Sequence, residues 1–124
     1  MKVLLTGADG YIGVRMGHYL LERGHDVTGM DSGFHRVGWL YDAGERRPET
    51  FTKDTRDLTL EDLQGYEAVV HLAEVSNDPV GELNGDVTYK INHEGSLRLA
   101  KLAKEAGVER FVHMSSCSVY GAAG

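Results

Sequence analysis

Short apolar runs alternate with amphipathic stretches along this chain. Lys2 to Thr6 is an apolar run ending in Thr6-Gly7, and its lack of alternation predicts a strand buried on both faces. Tyr11 to Arg23 has helical spacing, with Ile12, Met16, Tyr19 and Leu20 on one face and Gly24 as the stop. His25 to Met30 reads as a second strand, ending at Asp31. Residues 32–49 are rich in Gly, Arg and Asp, have Pro48 near their end and show no period, which predicts a loop. Thr50 to Lys53 is a weak third strand, and Thr59 can cap a short helix, Leu60 to Leu63, by accepting a first-turn N–H on its hydroxyl. Glu67 to Leu72, around Ala68-Val69-Val70, is a fourth buried strand. The longest helix runs from about Asp86 to Ala106: Val87, Ile91, Gly95, Leu99, Leu102 and Ala106 recur every three or four residues. Lys101, Lys104 and Glu105 take its solvent side, and Gly107 ends it. Arg110 to Met114 is the fifth strand, with Ser115-Ser116-Cys117-Ser118 at its carboxyl end.

Strands that alternate with helices require crossover connections, so the class is α/β: a doubly wound parallel sheet of five strands. The expected order is 3-2-1-4-5, which puts a topological switch point beside strand 1, where such sheets bind ligands. The length, 124 residues, suits a single domain, residues 1–124. With 41% hydrophobic and 26% charged residues, disorder and collagen-like repeats are excluded. Thirteen Lys and Arg against nineteen Asp and Glu leave a net charge of −6, and there is no basic cluster beyond Arg46-Arg47, which argues against a nucleic-acid partner. The single cysteine, Cys117, excludes an internal disulfide and a multi-thiolate zinc site. The run after Met1 is too short for a signal-peptide core, and no apolar stretch approaches the ~18 residues of a membrane span, so the expectation is a cytoplasmic protein. The six histidines lack metal-ligand spacing, and no metal is expected; His71 and His113, on strands expected to be buried, read as neutral, hydrogen-bonded core groups.

Sixteen glycines are about twice the usual ~7% share, and their positions matter more than their number. Thr6-Gly7-Ala8-Asp9-Gly10-Tyr11-Ile12-Gly13 has the spacing G-x-x-G-x-x-G at a strand-to-helix junction. Gly7 permits the tight turn, Gly10 lets the backbone approach a pyrophosphate, and Gly13 lets the helix pack closely on the strand. The amide groups and positive end of the helix then meet phosphate charge, which makes Gly7, Asp9, Gly10, Tyr11, Ile12 and Gly13 the expected cofactor-binding residues of this Rossmann-like turn. Asp31, 18 residues beyond Gly13, is placed to accept hydrogen bonds from an adenosine ribose. Its charge would repel a 2′-phosphate, which favours NAD over NADP; Arg36, with His35, could still accept that phosphate if the loop folds back.

These blocks resemble the extended short-chain dehydrogenase/reductase superfamily, specifically its NAD-dependent sugar-nucleotide epimerases and dehydratases. Asp54-Thr55-Arg56-Asp57 is similar to the family's acidic segment after strand 3, which implies that Asp54 and the Thr55 backbone lie beside adenine. His71-Leu72-Ala73 resembles the block after strand 4, so Leu72 and Ala73 are expected to line the cofactor. Asn92 with Gly95 is similar to the central-helix signature, and Ser115 to Gly121 to the block ending strand 5, where Ser115 would meet the cofactor and Ser116 takes the place of the catalytic Ser or Thr. In that chemistry a tyrosinate removes a sugar hydroxyl proton while hydride passes to nicotinamide, and a nearby lysine lowers the tyrosine pKa.

Two departures stand out. Glu74 follows Ala73 where the family has a small residue, and none of the six tyrosines is followed four residues later by a lysine, so the family's Tyr-x-x-x-Lys is not in this sequence. The resemblance therefore implies the cofactor-binding half of such an enzyme. The expected behaviour is dinucleotide binding without turnover, with a nucleotide sugar engaged only if the other half is supplied. The alternative is a non-catalytic, NAD-responsive binding or assembly module. Self-association is also expected, because the edge and one face of strand 5 would otherwise stay uncovered.

Overall fold

In the computed structural model, residues 1–32, 47–73 and 90–114 are described. The strands are β1 (Lys2–Thr6), β2 (Asp26–Asp31), β3 (Glu49–Thr52), β4 (Ala68–His71) and β5 (Arg110–His113), and the helices α1 (Tyr11–Glu22), α2 (Leu60–Leu63) and α3 (Ser96–Glu105). A 3₁₀ turn, Thr55–Asp57, precedes α2, and a π-helical segment, Lys90–Gly95, runs into α3. The sheet has the order β3-β2-β1-β4-β5 and every pairing is parallel. The expected class and strand order are those observed.

The period of two along each strand divides the core into two layers. Leu4, Met30 and Val69 face one side, where they pack with Leu58, Leu63, Leu99 and Ala103. Val3, Leu5, Val27, Ala68 and Val70 face the other, together with Ala8, and Met16, Leu20 and Leu21 of α1 close over them. In register, Val3 pairs with Val27 on one flank and Ala68 on the other, so β1 is central and buried from Val3 to Thr6.

Two expectations about burial are corrected. Of the face assigned to α1, Met16 and Leu20 pack on the core, but Ile12 and Tyr19 are about half exposed, and the buried positions are Gly13, Val14 and Gly17. The helix crosses the sheet so closely that side-chain volume is excluded. A Cβ on Gly13 would collide with the Gly7 carbonyl, and one on Gly17 would meet the Pro48 ring at 2.9 Å. Tyr19 instead lies under the Arg23 guanidinium, 4.3 Å from its ring centre. The second correction is β5, which forms an edge of the sheet: Phe111 is half-buried, while Val112, His113 and Met114 are exposed. His113 is therefore not a core group.

The small helix α2 is closed by its own sequence. The Asp62 carboxylate accepts from the Thr59 N–H (2.9 Å), the Thr59 hydroxyl (3.1 Å) and the Lys53 ammonium (2.7 Å). Thr59 and Asp62 form a capping box: the Thr59 side chain accepts the Asp62 backbone N–H, as expected, and its hydroxyl also donates to the Asp62 carboxylate. The Lys53 ammonium holds the Asp62 carboxyl below the usual carboxylate range, against a smaller upward push from burial.

Candidate functional site

The carboxyl ends of β1, β2 and β4 meet at the turn that opens α1. The turn is hung on β2, since the N–H groups of Gly7 (2.8 Å) and Ala8 (3.2 Å) both donate to the Met30 carbonyl. On the other flank Gly7 has φ +72°, and a Cβ there would lie 2.8 Å from the Leu72 carbonyl carbon and 2.9 Å from the Ala73 nitrogen. Only glycine has both the left-handed conformation and the missing volume that this position requires.

Gly10 differs. Its backbone is extended (φ −76°, ψ 173°), a conformation open to any residue, and among the described residues a Cβ would have only the Gly7 carbonyl oxygen nearby, at 3.4 Å. Neither torsion nor packing among the described residues requires glycine there. Gly10 is also the N-cap of α1; among the described residues no side-chain cap bond closes this end, and no acidic residue stands in its first turn. The helical ladder starts with Val14 N–H donating to the Gly10 carbonyl at 3.0 Å, so the amides of residues 11–13 precede it at the positive end of the helix dipole. The arrangement suits an anion approaching the backbone closely.

Acidic side chains flank the turn. Asp31, at the end of β2 and 4% exposed, accepts the Asp9 N–H at 2.9 Å and so clamps the loop to β2. The buried Asp9 carboxylate lies 3.5 Å from the Arg47 guanidinium. Beyond β3, the Asp54 carboxylate accepts from the Arg56 backbone N–H (2.9 Å), Nε (3.0 Å) and Nη2 (2.6 Å), and the Arg56 side chain holds the Asp54 carboxyl below its ordinary pKa. Thr55 beside it is buried, and the Arg98 guanidinium of α3 donates to the Arg56 carbonyl at 2.9 Å, anchoring this turn to α3.

A buried polar chain runs under the site. Thr6 Oγ1 lies 2.7 Å from His71 Nδ1, and His71 Nε2 lies 2.8 Å from Ser96 Oγ. The same Thr6 oxygen accepts the N–H groups of Leu72 (3.0 Å) and Ala73 (3.2 Å). With both lone pairs engaged, the Thr6 hydroxyl has its proton left to donate, and it donates to Nδ1. His71 is thereby the neutral Nε2–H tautomer, giving its proton to Ser96. Complete burial, and secondarily the His113 ring stacked 5.7 Å away, push the His71 pKa down to about 4. The expectation of a neutral, hydrogen-bonded His71 is met.

Of the residues singled out from sequence, Gly7, Asp9, Gly10, Tyr11, Ile12, Gly13, Asp31, Leu72 and Ala73 converge on this one turn. Asp54 and Thr55 stand at the 3₁₀ turn after β3. The side chain of Asn92, together with Glu74, His35, Arg36, Ser115, Ser116 and Cys117, lies outside the described residues. Sequence reasoning did not single out Thr6 as a hydrogen-bonding hub, Ser96 as the far end of the His71 chain, or Arg47 as the partner of Asp9. The available signals were a hydroxyl residue directly before the first loop glycine and a histidine inside an otherwise apolar strand.

The comparisons with known proteins agree with this geometry. The model of the NAD dependent epimerase/dehydratase family matches residues 3–124. A UDP-glucose 4-epimerase of Klebsiella pneumoniae is 34% identical, the match covering 98% of this chain and 93% of that protein. A UDP-glucose 4-epimerase of Mycolicibacterium smegmatis is 37% identical over 98% of this chain and 41% of its own length. Among solved structures, MoeE5 in complex with UDP-glucuronic acid and NAD superposes with a TM-score of 0.83 at 31% identity, covering 100% of this chain and 40% of that one. The chain thus spans about two fifths of the latter two proteins. It belongs to the NAD dependent epimerase/dehydratase family.

Proposed function

We propose that this member of the family is an NAD-binding domain, residues 1–124, that serves nucleotide-sugar epimerisation or dehydration. The observation carrying the reading is Gly10. Among the described residues nothing in the protein itself calls for glycine at that position, whereas a pyrophosphate resting on the first amides of α1 does. The residues present fit the coenzyme. Gly7 and Gly10 leave the backbone bare, the first turn of α1 offers its dipole, and Leu72 and Ala73 form the opposite wall. Asp31 places a carboxyl group at the end of β2, where it could accept from an adenosine ribose and would leave no welcome for a 2′-phosphate. When bound, NAD supplies reversible storage of the hydride taken from a sugar carbon. The NAD-bound MoeE5 structure and the two UDP-glucose 4-epimerases support this assignment of coenzyme and substrate class.

The chain's own contribution is to bind and orient. Ser116 is assigned the hydrogen bond to the reacting sugar oxygen; the Tyr-x-x-x-Lys pair that would move the proton is not among the 124 residues. We therefore read the chain as binding dinucleotide without turning over a nucleotide sugar. The same reading expects a cytoplasmic location and self-association along β5, where Val112 is 46% and Met114 41% exposed. Among the described residues, no helix is long and apolar enough to cross a membrane.

Calorimetric titration with NAD and NADP, on the wild type and on Gly10→Val, tests the core of the proposal. Binding of NAD in preference to NADP, abolished by the valine, is expected; equal binding by both proteins removes the pyrophosphate from the loop. Steady turnover of UDP-glucose by the chain alone would overturn the division between binding and catalysis, and a monodisperse monomer in light scattering would overturn self-association.

A further inference from the structure

The chain of Thr6, His71 and Ser96 joins three elements that are distant in sequence and ends on the wall of the proposed coenzyme site. β1 supplies Thr6, β4 supplies His71, and α3 supplies Ser96, on the face of the sheet opposite α1. The Thr6 oxygen receives the amides of Leu72 and Ala73, and those two residues stand 2.8–2.9 Å from where a Gly7 Cβ would be. The Thr6 hydroxyl therefore ties the Leu72–Ala73 backbone down beside the glycine turn, sharing the Leu72 N–H with the Thr6 carbonyl at 3.2 Å and holding the Ala73 N–H. That hydroxyl can take both N–H groups only while His71 Nδ1 carries no proton, because an Nδ1–H 2.7 Å away would claim one of its two lone pairs. Nδ1 is bare because the ring proton sits on Nε2, held there by Ser96 Oγ at 2.8 Å. No buried side-chain nitrogen or oxygen among the described residues lacks a partner, so the chain closes without a gap.

We propose that Thr6, His71 and Ser96 form a positioning relay, through which the start of α3 sets the Leu72–Ala73 wall against the glycine turn and so tunes dinucleotide affinity. The tuning of affinity rests on the NAD-binding reading above; the relay itself does not. None of the three is a catalytic residue: each acts on the coenzyme site through the backbone of Leu72 and Ala73.

The test uses the whole 124-residue chain. Nitrogen-15 NMR of the histidine rings at neutral pH is expected to find His71 with a proton on Nε2 and none on Nδ1; the Nδ1–H tautomer would overturn the relay. In Thr6→Val, which keeps the shape and removes the hydroxyl, amide exchange at Leu72 and Ala73 should quicken about tenfold relative to Val69 and Val70, and NAD affinity should fall about tenfold. Thr6→Ser should restore both to within about threefold of the wild type, because a hydroxyl is again present. If serine and valine behave alike at these two amides, the oxygen is not the hub. Ser96→Ala guards against a valine variant that does not fold: it should move part of the His71 population to the Nδ1–H tautomer and quicken the same two amides. An unchanged tautomer and unchanged exchange in that variant would sink the connection to α3. Should the wild type fail to bind NAD, the functional reading falls, while the tautomer and exchange measurements still decide the relay.

Discussion

The first turns of α1 and α2 face the same problem and meet it in opposite ways. Every helix starts with amides that have no partner in the helix. At α2, Asp62 turns back on Thr59 and Lys53 braces it, so the end is closed by side chains of the local sequence. At α1 the cap is a glycine, the first turn has no acid, and the nearest carboxylates are spent elsewhere, Asp31 on the Asp9 amide and Asp9 beside Arg47. The difference teaches what each end is for. A closed cap stabilises the fold, whereas an uncapped end beside bare backbone is a place for an external anion.

The largest effect that bears on this contrast is expected at Gly13, inside the open end. Gly13→Ala drives a methyl into the Gly7 carbonyl and should cost about 3–4 kcal/mol of stability, since backbone on both sides must shift; urea unfolding measures it, and a change under about 1 kcal/mol would mean that α1 is less tightly seated. Next comes the support beneath the open end. His71 is depressed to about 4 in the fold against an ordinary 6.5, so both states are neutral above pH 6.5. As pH falls from 6.5 towards 4 the unfolded chain takes up the proton first, and the fold should lose about 3 kcal/mol over that window. Urea unfolding as a function of pH should show that slope in the wild type and not in His71→Asn.

Gly10→Val separates binding from folding. NAD affinity should fall about a hundredfold, on the order of 3 kcal/mol, while stability changes by less than about 1 kcal/mol, because the position is extended and spacious. Calorimetry paired with thermal unfolding checks both halves; equal losses in the two would erase the distinction between the ends. The smallest effect belongs to the closed cap. Asp62→Ala should cost about 1 kcal/mol and leave NAD affinity unchanged. Its pH signature also differs from that of His71. A carboxyl held low in the fold gives stability that is complete above the unfolded carboxylate pKa and is lost only as pH drops below it towards the folded value. The two regions therefore titrate in separate windows, one above about pH 4 and one below.

Much of the fold could be read along the chain. Each strand was expected within a residue or two of its observed limits; alternation of element types implied a parallel sheet, and 3-2-1-4-5 was the order expected of a dinucleotide-binding one. The glycine turn was legible because its spacing falls at a strand-to-helix junction, where bare backbone has a physical purpose. The α1 face was misassigned at Ile12 and Tyr19, because a hydrophobicity pattern assumes that bulk goes inward; here the closest helix–sheet contact excludes bulk, and Gly13 and Gly17 take the inside. For β5, an apolar run such as Phe111-Val112 does not reveal whether its strand is central or at an edge.

By itself, the order of residues determined the element types and the turn with its bare backbone, since periodicity and local conformational limits act over a few neighbours. Only the folded arrangement decided what each polar group does. Thr6 meets His71 across 65 residues and His71 meets Ser96 across 25, while the Asp31 carboxylate reaches the Asp9 amide across 22. Hydrogen bonds depend on distances of about 3 Å, and parallel crossovers alone bring such remote positions that close.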